Sequence, residues 1–291
     1  NMPNIDKEEL TLFYKYHIKS KNDISYICTS SNQIDKKDVG VYLINNSKIK
    51  NLLNDLNLSN ITFNAIKLNY KIGGFITDNP NNYIAINDLY TLSIVKQHIK
   101  DNINKKHMLN GVNIVSYQTV SIDSSVIIEK GVTIYPNTCL SGNTKVYKGA
   151  IIGQDCEISN SIIDENAIIK HSLITDSYVG KNTTIGPFTH LRNNSSIGDN
   201  CRIGNFVEIK NSVIGNKTKI AHLTYIGDCK CGENVNWGCG SVTVNYDGKN
   251  KNKTIIGDNV FIGCNTNLIA PLQVGDNAFI AAGSTITNDI P

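Results

Sequence analysis

Histidine is scarce in this chain, six in 291 residues, and one of them stands in Ala221-His222-Leu223-Thr224-Tyr225, beside a break in a repeating pattern. An imidazole there suits a general base, because its ordinary pKa of about 6.5 lies near neutrality. The alternative is a hydrogen-bonded structural histidine. Arg192 and Lys210 lie 18 residues apart, and Tyr225 follows Lys210 by 15. If the chain coils with an 18-residue period, Arg192 and Lys210 share one edge and Tyr225 falls near the next level. A guanidinium fork and an ammonium beside a phenol form a phosphate-binding set. The alternative is two solvated surface charges.

The period is real. From Val120 onward a small aliphatic recurs every six residues. One run is Ile122, Ile128, Ile134, Leu140, Val146, Ile152 and Ile158. A second is Val179, Ile185, Leu191, Ile197, Ile203 and Ile209, and a third is Ile256, Ile262, Leu268, Val274, Ile280 and Ile286. Neither a 3.6-residue helix nor a two-residue strand period gives this spacing. A short strand plus a tight turn does, with Gly, Asn and Asp taking the turn dihedrals. Three hexads make a triangular coil of 18 residues, and residues 120–290 make about nine coils. The register blurs between Ile158 and Val179, slips by one between Ile209 and Ile214, and breaks between Trp237 and Ile256. The last gap is polar and lysine-rich, and must leave the coil as a loop. Trp237 stands where the repeat expects an aliphatic.

Residues 1–110 read as a small α/β unit that meets the repeats near Gly111. Helices are expected over residues 8–17 and 47–56. A longer one runs from a cap at Asn87 or Asp88 to about residue 107, with Leu89, Leu92, Val95, Ile99 and Ile103 on one face. Strands are expected over residues 24–29 and 39–44. The hydrophobic fraction of 40% and charged fraction of 18% suit a soluble globular protein, and the dispersed cysteines suit a reducing cytoplasm. A net charge of +3 argues for neither nucleic acid nor a membrane surface. No run of about 18 apolar residues is present, and the polar start is not a secretory signal, with Met2 expected as the native start after an added Asn1. Eight cysteines spread over so long a chain are expected to be free thiols, and Cys229-Lys230-Cys231 lacks a second zinc-type pair.

Several segments resemble a bacterial bifunctional family that joins glucosamine-1-phosphate acetyltransferase to N-acetylglucosamine-1-phosphate uridyltransferase on the way to UDP-N-acetylglucosamine. They are Ile185-Gly-Pro-Phe-Thr-His-Leu-Arg192, Gly204-Asn-Phe-Val-Glu-Ile-Lys210, Ala221-His-Leu-Thr-Tyr-Ile-Gly-Asp228, Asn245-Tyr-Asp-Gly-Lys-Asn-Lys251 and Ile280-Ala-Ala-Gly-Ser284. The resemblance is dense over residues 111–291 and loose over 1–110. It implies a mainly β chain, a trimeric left-handed parallel β-helix of hexapeptide repeats preceded by a nucleotidyltransferase remnant. It implies acetyl-CoA as co-substrate, no metal for acetyl transfer, glucosamine-1-phosphate as acceptor, and a homotrimer.

It also implies roles for matching residues. His222 would take the proton of the substrate amine. Arg192, Lys210, Tyr225 and Lys251 would hold the sugar phosphate, and Asn236 and Asn245 the sugar. Cys239, Asn245, Tyr246, Cys264 and Ala282 fall where the family contacts acetyl-CoA. Cys239 and Cys264 replace small residues and are expected as packing groups.

The resemblance weakens at both ends. The family's magnesium aspartate is matched by Asn1, its glycine-rich triphosphate loop is absent, the asparagine expected before Gly40 is replaced by Asp38 and Val39, and only Ile86-Asn87-Asp88 resembles its uridine-sugar pocket. No uridyl transfer is expected. Family members continue beyond the position of Pro291 into a tail that supplies an arginine to coenzyme A, so weaker acetyl-CoA binding is expected. Competing readings are another hexapeptide acyltransferase on a phosphorylated amino sugar, a metal-dependent β-helix enzyme using His190 and His222, and a non-catalytic remnant.

Overall fold

The computed structural model describes residues 7–31, 35–48 and 61–291. The chain divides into two units, Asn1–Ile99 and Lys100–Pro291. In the first, helix α1 (Lys7–Ser20) starts with Glu8 and Glu9 and ends with His17 and Lys19, as the helix dipole favours. Strand β1 (Ile24–Ser31) is the centre of a three-stranded sheet. It pairs antiparallel with β2 (Asp35–Ile44) and parallel with β3 (Ile72–Ile76). Phe13, Ile27 and Tyr83 form its apolar centre, and α2 (Ile61–Lys67) contributes Ile61 and Ala65 to buried positions. The helix expected over residues 47–56 lies for the most part outside the described residues.

Helix α3 (Leu89–Leu109) is capped by Asp88, whose carboxylate accepts the Thr91 N–H at 2.6 Å. Its apolar stripe begins later than expected. Leu89, in the first turn, is 84% exposed, whereas Val95 is buried. The division between units falls within α3, ahead of Gly111. The C-terminal part of α3 closes the open end of the repeat unit: Asn104 is fully buried and donates to the Tyr117 and Val120 carbonyls at 2.8 and 2.9 Å, and Ile103 rests on the repeat core.

The repeat unit is a parallel β-solenoid. Among the described residues one face carries nine strands. The other two merge into a sheet of 18, because Arg202–Lys210 and Lys219–Gly227 are long strands that bend round a corner. The repeat aliphatics line a single core, with Ile128 and Ile286 half-buried at its margins. The blurred stretch is explained by shorter coils: Glu157 pairs with Leu173, and Ile162 with Tyr178, 16 residues on rather than 18. Two of the three steps in such a coil save a residue at a corner, so the aliphatics fall at Ile163, Ile169 and Ile174, all buried. The long interruption is the loop after Val244: Asn236 pairs with Phe261, 25 residues on.

Corners need left-handed backbone, which asparagine supplies at many of them, among them Asn137, Asn166, Asn182, Asn200, Asn234 and Asn259. One corner is different. Phe188, Phe206 and Leu223 take φ of 57°, 57° and 42° there, and all three are exposed, with the two phenyl rings stacked at 5.5 Å. Bulky residues in this region cost about 1–3 kcal/mol each.

Trp237 fits for a specific reason. It stacks between Ile220 and Ile262 at 2% exposure, and its indole N–H donates to Cys231 Sγ at 3.5 Å. Cys231 pairs with Ile214 and Ile256 on another face. A small thiol in place of the aliphatic that its neighbours carry leaves the volume that the indole fills.

Candidate active site

The long strand Lys219–Gly227 carries the site. It turns its corner at His222 and Leu223 and then lays Tyr225 on the next face, three residues or about 10 Å further along the chain. Strand Arg202–Lys210 lies beside it, with Asn205 opposite His222, Glu208 opposite Tyr225 and Lys210 opposite Gly227.

His222 is exposed, and its Nδ1 lies 2.8 Å from Asn205 Oδ1. An amide oxygen only accepts, so the bond places the proton on Nδ1 and leaves the Nε2 lone pair directed outward. Asn205 was not singled out from the sequence. It lies 17 residues before His222, and its place depends on a coil one residue shorter than the repeat.

The corner that holds His222 is a column. Ile220, Trp237, Ile262 and Ile280 stack in successive coils. Two positions on, the same register stacks His222, Cys239, Cys264 and Ala282. Backbone bonds join the upper members: the carbonyls of Cys239 and Cys264 accept the N–H groups of Asn265 and Gly283 at 2.7 and 2.8 Å, whereas below them the Gly240 N–H goes to the carbonyl of Leu223, the residue after His222, at 2.9 Å. Cys239 and Cys264 are exposed, not packed as expected, because a corner residue two places past an inward aliphatic points outward. The buried cysteines differ. Burial pushes the Cys229 thiol well up and the Cys231 thiol up to about 12.

The cations gather on the following face. Arg192 pairs with Lys210 in the next coil, the shared edge that the 18-residue spacing predicts. Arg192 Nε and Nη2 donate to Glu208 Oε1 at 2.8 and 2.5 Å. Lys210 is 8% exposed. A hydrogen bond with the Lys251 amine, and then burial, hold its ammonium below the usual lysine range, with Asp228 opposing. Asp228 itself accepts from Asn211 Nδ2 and Asn245 Nδ2, each at 2.5 Å. A side chain at Gly227 would collide with Tyr225 Oη and Asn245 Nδ2, so glycine is what lets these groups converge. Arg192, Lys210, Lys251, Tyr225 and Asn245 thus share one face. Asn236 does not join them: it pairs with Lys219, on the face before the corner.

The loop that delivers Lys251 is stapled. Tyr246 and Lys251 form an antiparallel bridge, and Tyr246, 57% exposed, donates its hydroxyl to the Gly248 carbonyl at 2.8 Å. Asp247 accepts the Asn250 and Lys249 N–H groups at 2.7 and 2.8 Å and Asn252 Nδ2 at 3.0 Å. These donors, Asn250 foremost, hold its carboxyl below the usual range. The staple is therefore intact above the ordinary carboxylate range of about 3.9 and is lost as pH falls through the lowered value. Asp247→Ala is expected to speed tryptic cleavage after Lys249 and Lys251 at neutral pH; an unchanged cleavage rate would assign the loop's order to other contacts.

Among the described residues no group of three or more His, Cys, Asp or Glu is placed to hold a metal. His190 stands opposite Glu208 on the cationic face, and burial lowers its pKa. No helix among them is long and apolar enough to cross a membrane.

Residues 176–211 and 253–288 match the family model described as bacterial transferase hexapeptide (six repeats). The bifunctional protein GlmU of Acholeplasma laidlawii is 53% identical over 89% of this chain and 58% of its own length. That of Clostridium novyi is 43% identical over the same shares. The chain thus spans a little over half the length of these relatives. The GlmU of Caldanaerobacter subterraneus subsp. tengcongensis is 38% identical over 99% of this chain and 72% of its own length. A solved UDP-N-acetylglucosamine acyltransferase from Campylobacter jejuni covers 58% of this chain and 68% of its own at 22% identity and a TM-score of 0.40. The acetyltransferase domain of PglB from Neisseria gonorrhoeae, in complex with acetyl coenzyme A, covers 74% of this chain and 67% of its own at 12% identity and a TM-score of 0.18. The parallel β-solenoid is accordingly built of bacterial transferase hexapeptide repeats, and the chain belongs to the GlmU family.

Proposed function

We propose that this chain transfers the acetyl group of acetyl-CoA to the amine of glucosamine-1-phosphate, giving N-acetylglucosamine-1-phosphate for UDP-N-acetylglucosamine and cell-wall synthesis. The observation that carries the reading is the placement of an oriented base between two dissimilar surfaces. His222 stands at the foot of the outward column of Cys239, Cys264 and Ala282, and at the start of the strand leg that leads to the Arg192, Lys210 and Lys251 cluster. An ammonium has no lone pair, so a base must first remove its proton, and His222 Nε2 is free to do so. The amine then attacks the thioester carbonyl, the carbon–nitrogen bond forms, and the carbon–sulfur bond breaks. The attacking nitrogen, cationic once bonded to carbon, gives up its second proton to the departing thiolate, and His222 releases the first proton to solvent. Holding both reactants in place supplies most of the remaining advantage.

The adjacent Lys210 and Lys251 amines repel one another, and a phosphate with a charge near −2 would bridge them beside Arg192, whose Nε and Nη2 Glu208 holds in place. This cationic face supports a sugar phosphate as the acceptor. Thiol release from acetyl-CoA is expected with glucosamine-1-phosphate and to fall at least about tenfold with unphosphorylated glucosamine; equal rates with both would overturn the assignment of the cationic face.

Asn205 acts by orienting His222. Asn205→Ala is expected to lower kcat by about ten- to a hundredfold with KM for both substrates little changed, since a base misplaced by about 1 Å costs that much. A change confined to KM would contradict it.

The working assembly is a homotrimer in the cytoplasm. Its support is the exposed column of Phe188, Phe206 and Leu223, an adjoining groove of about 580 Å³ lined by Tyr135, Ile151 and Pro187, and the separation of Asn236 from the cation cluster within one chain. No uridyl transfer is proposed for these 291 residues, in which Asp88 serves as a helix cap and no glycine-rich triphosphate loop occurs.

A further inference from the structure

Three cysteines are exposed, Cys139, Cys239 and Cys264. Two of them are neighbours in space. Trp237 pairs with Ile262, so Cys239 stands beside Cys264 at the next corner, and the Cys239 carbonyl accepts the Asn265 N–H at 2.7 Å. A β-carbon on Gly238 would collide with the Cys264 amide nitrogen, which shows how closely the two backbones run. Successive coils are separated by about 4.8 Å. That lies within the roughly 4.4–6.8 Å between Cα atoms that a disulfide spans. Cys139 has no such neighbour: Ser121 and Glu157 flank it in the adjoining coils.

We propose that Cys239 and Cys264 form a dithiol modification site that takes the disulfide of a small thiol and closes on itself. In the first step the sulfur of one cysteine attacks the incoming disulfide. A mixed disulfide forms, the small-molecule S–S bond breaks, and one small thiol leaves with the proton that the cysteine gives up. In the second step the other cysteine attacks the protein sulfur of that adduct. The intramolecular disulfide forms and the second small thiol leaves with the second proton. The two cysteines lose two electrons in all, and the small disulfide gains them. Neither cysteine takes part in the proton or acyl transfer assigned to His222, although both stand in the column proposed to hold acetyl-CoA, so the exchange is expected on the chain without bound coenzyme.

The probe is glutathione disulfide, applied to the folded chain, followed by intact mass and peptide mapping. The expected product has lost two hydrogens through a link between the peptides holding Cys239 and Cys264, while Cys139 carries glutathione. Cys264→Ala is expected to leave glutathione fixed on Cys239. Glutathione on both Cys239 and Cys264 without a link, or neither residue modified while Cys139 reacts, would overturn the proposal. A melting curve for each variant establishes that it is folded, and wild type alone suffices for the decisive mass. In Cys264→Ala the trapped tripeptide lies over the column that leads to His222. On the acetyl-transfer reading, on which this last step rests, it lowers the rate by about tenfold or more until dithiothreitol removes it. The mass result stands whether or not the chain transfers acetyl groups, so the two ideas fail separately.

Discussion

His222→Ala is expected to lower acetyl transfer by about a hundred- to ten-thousandfold, the usual worth of a positioned general base. KM for acetyl-CoA and for the sugar phosphate should change little, because the residues that hold each lie elsewhere. On the proposed reading the coenzyme lies along the edge of Cys239, Cys264 and Ala282, and the phosphate against the cations of the next face. His190 is a poor substitute. It sits opposite Glu208 on that face, and burial makes its imidazole a weaker base. Steady-state kinetics on a variant with unchanged melting would show the loss in kcat. A rate within a few-fold of wild type would assign His222 a structural role and move the proton transfer to another group.

The second large effect is on stability. Trp237→Ala should destabilise the chain by about 3–5 kcal/mol, the range for emptying a buried aromatic site. The companion substitutions are more informative. Trp237→Ile restores the aliphatic carried by Ile220 and Ile262 but leaves space over Cys231. Cys231→Ile alone crowds the indole, and overpacking costs about 1–3 kcal/mol. The double variant returns both positions to the repeat pattern and is expected to be more stable than either single one. Denaturant unfolding of the four proteins gives the interaction energy. Additive effects would show that the indole and the thiol do not share one volume.

The sequence spoke most clearly where the physics is periodic. Inward aliphatics must recur because each coil covers the next, so the solenoid and the shared edge of Arg192 and Lys210 could be read from spacing alone. Precision was lost wherever a coil changed length. Steps of five mixed with one of six between Ile158 and Val179 hid Ile163, Ile169 and Ile174. The 17-residue coils hid the Asn205–His222 bond and the alignment of Glu208 with Tyr225. Contacts between faces were illegible for a different reason. Trp237 and Cys231 are six residues apart and meet only inside the prism. Asp228 joins Asn211 to Asn245 across two coils. Cys239 and Cys264 were misjudged because composition marks a small residue, and only the corner geometry shows that it faces outward.

The most direct test of acetyl transfer at His222 is to incubate the folded chain with acetyl-CoA and glucosamine-1-phosphate and identify the sugar product by mass spectrometry as thiol is released. The account predicts N-acetylglucosamine-1-phosphate formed in step with free coenzyme A. Thiol release without an N-acetylated sugar, or no product from folded protein at saturating acetyl-CoA, would contradict it.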